Sequence, residues 1–553
     1  MVEQIPPPST PLVTKTVFVP CAGLGSRLSE GRRNLPKPLS DLGGIPAVAR
    51  IIRLYPENWD VVVALGHDED LVKDGIEALF ARDPRRENVS FVHTRSFEME
   101  NQGLSHTIIS AGQMLADRPF VFHAVDALIE PSGFEYSDWL KNADQLLFAR
   151  PMTAGRYRYA KPGENGNLEW GLRDFESCDP GMAYVGVSHI FEWSRFWQRL
   201  EEFADDNPES GETLGLQPAQ CEFLNLPPGK WFDIGSKPGL TAARKAFPQQ
   251  RNILAKSEEA IWFLNSDVIK IHRDPLFISG RVERARALAP YVPPIRSFND
   301  HTYSYREVTG TELSKALRDP NFDLEGFFDF MWEFWTAAQS GLVKVSPTVD
   351  SAYLEFYRDK TLDRVSQLLE RFPFMQDECQ INGVRVRELS KACDQIPWET
   401  IATITSSRIH GDLHPENILL TQPDRFMLLD WRQDVAGSSG ALGDIYYDLG
   451  KLAHGFRVDH GVVATGGYSV SDNNEGGISL QINWGLGKQR GLESFRRRVE
   501  GWGLSWHRVL IMESIIYLNI APLHEPDEYA IFLGYLGRLT AETALDFVPS
   551  NLS

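Results

Sequence analysis

His410-Gly411-Asp412-Leu413-His414-Pro415-Glu416-Asn417-Ile418-Leu419-Leu420 is the most telling stretch of this chain, and Phe426-Met427-Leu428-Leu429-Asp430-Trp431 follows it closely. An aspartate, an asparagine five positions on and a second aspartate closing an apolar run suit phosphoryl transfer from ATP. That chemistry needs one carboxylate at the substrate hydroxyl. It also needs an amide and another carboxylate to hold Mg2+ on the nucleotide phosphates.

The wording HGDLHPEN…LLDW resembles the choline kinase and aminoglycoside phosphotransferase family and differs from the HRD/DFG form of protein kinases. The resemblance implies a two-lobed, protein-kinase-like α+β domain with Asp412 as catalytic base and Asn417 and Asp430 as metal ligands. It also places the phosphate-binding lysine at Lys270, in the short strand Val268-Ile269-Lys270-Ile271, with Glu283 of GRVERARAL as its ion-pair partner. Tyr305-Arg306-Glu307-Val308-Thr309-Gly310 resembles the hinge that reads adenine, with Glu307 and Val308 as contacts. Asp444 and Asp448 match a segment that packs under the catalytic loop. His410 and His414 are expected to orient that loop, with no metal role. The aromatic stripe Phe327, Phe328, Phe330, Met331, Trp332, Phe334, Trp335 has the spacing of a lobe core, although such rings also build boxes for quaternary amines. Glu513, Asn519 and His524, which come after the catalytic loop, are expected near the acceptor.

Far upstream, a β-rich run ends in Pro20-Cys21-Ala22-Gly23-Leu24-Gly25-Ser26-Arg27-Leu28, and Leu35-Pro36-Lys37-Pro38-Leu39 follows. Glycines let backbone approach a phosphate, and the helix behind them points its amide end at it. GLGSRL…PKPL resembles the nucleotidyltransferase superfamily that makes NDP-sugars and CDP-choline-type compounds. The resemblance spans about residues 14–247, in order. It assigns Ala22, Gly23, Gly25 and Ser26 to the phosphates, Arg27 and Lys37 to catalysis, and Gln102, Gly103 and Ser105 to the base and ribose. Asp126, in VFHAVDALI, and Asp233, in Trp231-Phe232-Asp233-Ile234-Gly235-Ser236, become the Mg2+ ligands, and Ala183-Tyr184-Val185-Gly186-Val187 the acceptor strand. Val125 stands where the family often has glycine before the first metal aspartate. The physics agrees with these roles, because nucleotidyl transfer brings two anions together. Loop amides, Arg27 and Lys37 offset the repulsion, and a shared Mg2+ polarises the α-phosphate.

At 553 residues the chain exceeds one hydrophobic core. TKTVFVP, WDVVVALG, VSFVHT, PFVFHAVD and DQLLFARP alternate with helical stretches, which predicts an α/β fold with a mostly parallel, Rossmann-like sheet. The expected layout is a loose tail 1–13, a nucleotidyltransferase domain 14–247, a linker 248–255 and a kinase domain 256–553. The kinase lobes divide near 318, and 456–485 reads as a hairpin or loop insertion. A net charge of −19 argues against a nucleic-acid partner, and no run approaches the ~20 apolar residues of a membrane span. The five dispersed cysteines read as reduced thiols, and the start lacks a signal peptide, so a cytoplasmic protein is expected, oligomeric or not.

Together the two resemblances imply a bifunctional enzyme. ATP phosphorylates a small hydroxyl compound, and an NTP then donates its nucleotidyl group to that product with loss of pyrophosphate. CTP with an amino alcohol such as choline or ethanolamine is the first expectation, serving polysaccharide or lipid decoration. A sugar or polyol giving an NDP-sugar is the alternative. A kinase with a merely regulatory N-terminal domain and an antibiotic kinase are the remaining ones.

Overall fold

A computed structural model describes residues 14–23, 34–95, 98, 102–134, 141–163, 167–248, 258–337, 343–344, 350–422, 425–438, 440–472, 477–483 and 485–546. The expected tail 1–13 lies outside these residues, as does the expected linker apart from Pro248. The chain divides into two compact units, Met1–Ile278 with Arg296–Glu307 and Ser279–Ile295 with Val308–Ser553.

The first unit is built on the predicted apolar runs. β1 (Thr16–Pro20), β2 (Asp60–Leu65), β3 (Val89–His93), β4 (Phe120–His123), β6 (Gln145–Ala149), β9 (Ala183–Ile190) and β10 (Glu222–Asn225) form one sheet in the order β10-β6-β9-β4-β1-β2-β3. Its pairings are parallel except where β9 runs antiparallel to both β4 and β6. Alternate residues feed two cores: Val17, Val19, Val61 and Val63 lie in one, Phe18, Val62 and Ala64 in the other. Covering both faces is why these strands read as continuous apolar runs and show no polar alternation. A separate antiparallel pair joins β5 (Ala127–Ile129) to β11 (Trp231–Asp233), and β7 (Gly155–Pro162) pairs with β8 (Leu168–Phe175).

A second sheet, β12 (Glu259–Leu264), β13 (Asp267–His272), β15 (Thr302–Arg306) and β14 (Ile295–Phe298), was expected to open the kinase domain. Nearly all of it belongs to the first compact unit. The reason is packing: Trp262, Leu264, Ile269 and Ile271 join the same core as Val17 and Val63. Polar ties add to it. Arg273 donates to both oxygens of Asp68 at 2.8 and 2.7 Å, and the Phe263 amide donates to the Gly44 carbonyl at 2.8 Å.

The second unit is mostly helical. Leu324–Thr336 carries the aromatic stripe, with Phe327, Phe328, Met331, Phe334 and Trp335 buried, so these rings are core. Phe328 stacks on Phe495 at 5.6 Å and Phe327 meets Phe426 edge-on at 5.3 Å. The segment 456–485 is an insertion only in part. Phe456 and Arg457 end the helix Ile445–Arg457, His460–Ala464 is helical, and the hairpin proper pairs Tyr468–Asp472 with Ile478–Ile482. Among the described residues no helix is long and apolar enough to cross a membrane.

Candidate active sites

In the first unit, Asp126 and Asp233 are separated by over a hundred residues of chain and meet through the β5–β11 pair. Asp233 sits opposite Ala127, and the Ile234 amide donates to the Asp126 carbonyl at 3.0 Å. A methyl group placed on Gly235 would lie 2.9 Å from Asp126 Oδ2 and 3.0 Å from Asp233 Oδ1, so both carboxylates flank one small space. Burial raises the carboxyl of Asp233, and the neighbouring charge of Asp126 raises it further. A pair of half-buried oxygens that repel each other across a gap fits a hard cation such as Mg2+. Lys37, on the turn Lys37–Leu39, reaches Asp126 Oδ2 at 3.1 Å.

Tyr157 was not singled out in the sequence, yet its hydroxyl donates to Asp233 Oδ2 at 3.1 Å. Burial and the charge of Asp233 push that phenol up to about 12, so it stays a donor. Glu212 is another unforeseen member. It is buried, burial raises its carboxyl to about 7, and it is within electrostatic reach of Tyr184 on the expected acceptor strand.

Ala22 and Gly23 follow the end of β1, with Ala22 buried and Gly23 exposed. Gly25, Ser26 and Arg27 lie outside the described residues. Gln102 and Gly103 lead into the short helix Leu104–Ser110. Ser105 does not stand where the resemblance places it, at the base and ribose. It is fully buried, its hydroxyl donates to the Asn207 carbonyl at 3.1 Å and accepts from the Gly211 amide at 3.0 Å, and so it fastens that loop instead of facing a nucleotide.

In the second unit the strand Thr405–Arg408 runs into the His410–Asn417 loop. Gly411 has φ of +87°, a conformation that favours glycine, and Val435 and Arg432 crowd it. Asp448 holds the loop from beneath. Its carboxylate accepts from the amides of His410 at 2.7 Å and Gly411 at 2.8 Å and from Trp335 Nε1 at 3.2 Å. Asp444 is equally structural, accepting from Arg508, Tyr357 and the Thr405 amide. His410 is buried, and burial lowers its imidazole to about 3, which leaves it neutral.

The three motif residues converge. Asn417 donates its side-chain amide to the Asp412 carbonyl at 3.0 Å, which leaves the carboxamide oxygen as the atom on offer. Leu429 donates its amide to the Asn417 carbonyl at 2.7 Å, drawing in Asp430, whose φ of +58° is rare for a non-glycine residue. Arg281 bonds Asp430 Oδ1 at 3.1 Å, and Arg284 donates to the carbonyls of Ile409, His410 and Gly440. Both arginines lie on the buried face of the helix Pro275–Leu288, while Glu283 is on its exposed face. Lys270 is half-buried on β13, and the division between the two units falls between Glu307 and Val308.

Lys451 is the residue most clearly missed. Its ammonium lies 3.0 Å from Asp412 Oδ1. Burial works to raise the Asp412 carboxyl, but Lys451 and His414 hold it well below the usual range, so it is an anion. His414 is oriented by Glu416 through Nδ1 at 3.0 Å. His414, Glu416 and His460 cluster closely enough to share an ion, but Glu416 already faces Lys488 at 3.7 Å. Glu513, expected near the acceptor, is fully buried and paired with Arg457 at 2.7 Å, which makes it structural. Asn519 donates to Thr361 Oγ1, and His524 packs against Tyr529.

Residues 329–472 match the phosphotransferase enzyme family. Comparison with curated proteins gives no match. Among solved structures, UDP-glucose pyrophosphorylase complexed with UDP-glucose is 17% identical over 43% of this chain and 100% of that chain, with a TM-score of 0.33. CTP:phosphocholine cytidylyltransferase from Streptococcus pneumoniae is 12% identical over 42% of this chain and 99% of its own, at 0.34. The inositol-1-phosphate CTP transferase from T. maritima is 12% identical over 44% and 98%, at 0.32. The α/β architecture of the first unit rests on its own strand order, and the kinase-like character of the second on the family match.

Proposed function

We propose that this chain is a bifunctional transferase that phosphorylates a small hydroxyl compound with ATP and then couples the phosphorylated product to an NTP, releasing pyrophosphate. The observation that supports it best is the convergence, within each unit, of motif residues distant in sequence. Asp126, Asp233 and Lys37 gather in one, and Asp412, Asn417 and Asp430 in the other.

In the kinase step the acceptor oxygen forms a bond to the γ-phosphorus while the β–γ bridging P–O bond breaks and ADP departs. The anionic Asp412 receives the hydroxyl proton, or orients that hydroxyl for in-line attack. Lys270, Glu283, Glu307 and Val308 are proposed to bind ATP. In the nucleotidyl step an oxygen of the phosphomonoester attacks the α-phosphorus, and the α–β bridging bond breaks to release pyrophosphate. That nucleophile is already ionised, so no base is required. Lys37, Arg27 and the amides after β1 offset the meeting of two anions. Asn417 with Asp430, and Asp126 with Asp233, would hold Mg2+, which neutralises phosphate charge when bound.

The sequence ranks CTP with an amino alcohol first. The cations around Asp412 favour the sugar or polyol class for the acceptor, because an ammonium substrate would meet Lys451 and its neighbours. Two variants and a nucleotide panel test the scheme. Asp412→Asn is expected to stop ADP formation while pyrophosphate release from a supplied phospho-substrate continues, and Asp233→Asn to do the reverse. Loss of both activities in either folded variant refutes two separate sites. Strict use of one of CTP, UTP, GTP or ATP identifies the donor.

A further inference from the structure

The side chains beyond Lys451 carry a statement about substrate. The helix that follows Asp350 is interrupted by a π-helical turn, Glu355–Asp359, and runs into Lys360. Such turns are uncommon and are frequently found at functional sites. This one sets Phe356 and Lys360 side by side, with the ammonium 4.8 Å from the ring centroid. Arg432 reaches the same ring, its guanidinium carbon 5.6 Å from the centroid, and donates to the Tyr447 hydroxyl at 3.0 Å. Tyr447 meets Phe356 edge-on at 5.1 Å. The backbone of Arg432 is fixed to the catalytic loop, since its amide donates to the His410 carbonyl at 3.2 Å. Lys451, paired with Asp412, lies within electrostatic reach of both Lys360 and Arg432.

Positive charge is therefore in excess beside Asp412. Lys360, Arg364, Arg432 and Lys451, with Arg281, stand near three acids, Asp412, Asp430 and Asp434, of which Asp412 is taken by Lys451 and Asp430 by Arg281. Among the described residues neither Lys360 nor Arg432 is ion-paired. Burial and the neighbouring cations lower the Lys360 ammonium, so an anion placed beside it would favour its charged form. In a chain of net charge −19 such a concentration also runs against the overall balance.

We infer that the hydroxyl compound phosphorylated at Asp412 carries an anionic group, a carboxylate or a phosphate, seated between Lys360 and Arg432 against Phe356. This rests on the kinase reading above and narrows its substrate class to hydroxy acids or hydroxyalkyl and sugar phosphates. Arg432 offers the planar fork that suits either anion, and Lys360 adds a point charge.

Matched acceptors test it: glycerol, D-glycerate, sn-glycerol 3-phosphate and ethanolamine, then D-glucose, D-gluconate, D-glucose 6-phosphate and D-glucosamine. ADP formation is measured, and phosphorus NMR confirms the product. An anionic member is expected to exceed its neutral parent at least tenfold in kcat/KM, and the carboxylate and phosphate arms tell the two anions apart. Lys360→Met and Arg432→Met should each raise the KM of that acceptor about tenfold or more, well beyond any change in the KM of ATP, while Lys360→Arg keeps most of the preference. Equal or better use of neutral or cationic members, or turnover of no anionic member, overturns the inference while ATP binding keeps the kinase reading. Failure to bind ATP at all overturns both.

Discussion

Gly239→Ala tests the first unit through the backbone of Asp233. Gly239 lies in the first turn of the helix Lys237–Ala246, just behind the segment that carries Asp233. A β-carbon there would fall 1.8 Å from the Asp233 carbonyl oxygen, 2.8 Å from its carbonyl carbon and 2.9 Å from Ser236 Oγ. Ordinary contacts to that oxygen start above 3.0 Å, so the backbone of Asp233 must retreat by about 1 Å or more. Overpacking of this kind costs about 1–3 kcal/mol, less than the ~5–15 kcal/mol that holds a domain folded. Catalysis is less tolerant, since a misplacement of about 1 Å costs on the order of 100-fold in rate. The expected outcome is a folded protein whose pyrophosphate release falls about 100-fold and whose ADP formation is within twofold of the parent. Gly112→Ala serves as the control, because the nearest heavy atom to its added carbon is Trp197 at 3.9 Å. Nucleotidyl transfer within twofold of the parent in Gly239→Ala, with circular dichroism unchanged, would show that Asp233 is not placed for that reaction.

Lys451→Met removes the 3.0 Å ion pair that positions Asp412 and is expected to lower kcat for phosphorylation about 10- to 100-fold with little change in the KM of ATP. Partial recovery in Lys451→Arg marks a positioning role, and a parental kcat in the methionine variant removes it. Burial raises the Asp448 carboxyl from 3.8 to about 6, so the folded protein binds its proton more tightly than the unfolded chain. Stability from this group is full below about pH 4 and is lost as pH rises through about 6, and Asp448→Asn should flatten that part of a thermal-melt pH profile. Asp448→Ala should cost more, because it orphans the buried donors of His410, Gly411 and Trp335 at about 1–3 kcal/mol each. Burial, Arg432 and Lys451 lower the Lys360 ammonium to about 8, so an anionic acceptor should lose affinity as pH rises past that value. Lys360→Arg should remove the loss, and a pH-independent KM in the parent would count against Lys360 as a contact.

Motif residues were legible because each motif is a local solution to one task. His410–Asn417 must turn tightly, and Gly411 with its positive φ shows why glycine stands there. The strands of the first sheet were legible for a similar reason, since burial on both faces leaves a continuous apolar run. Lys451 was within reach of the same reading. It falls three residues after Asp448 on one helix, so the face that anchors the loop also points a cation at it. Tyr157, Lys360 and Arg432 gave no such signal. They come from a hairpin strand, the residue after a π-helical turn and a loop; tertiary packing brings Tyr157 to Asp233 and Arg432 to Phe356, and the π-helical turn sets Lys360 over Phe356. Ser105 and Glu513 mislead in the opposite direction, because a polar residue near a motif reads as a contact when its partners are the protein's own buried groups. The placement of β12 and β13 was likewise hidden. Trp262 and Ile269 look like the core of any small sheet, and nothing in their order reveals that they complete the core begun by Val17 and Val63.

The charge distribution joins these observations into one argument. A chain with 75 acidic and 56 basic side chains repels phosphates at long range, and screening confines that effect to about 10 Å in ordinary salt. Recognition of anions therefore has to be local. In the first unit the locality comes from Lys37 beside the Asp126–Asp233 gap, where an added cation would turn a repulsive pair into an attractive one. In the second it comes from Lys360 and Arg432, which stand beside the Lys451–Asp412 pair without a carboxylate of their own among the described residues. These are different electrostatic designs and they call for different ligands. Two carboxylates with one lysine favour an added cation, whereas Lys360 and Arg432, which no carboxylate pairs among the described residues, favour an added anion. Raising ionic strength should therefore raise the KM of an anionic acceptor in the kinase reaction, and an acceptor KM unchanged by salt would count against Lys360 and Arg432 as its contacts.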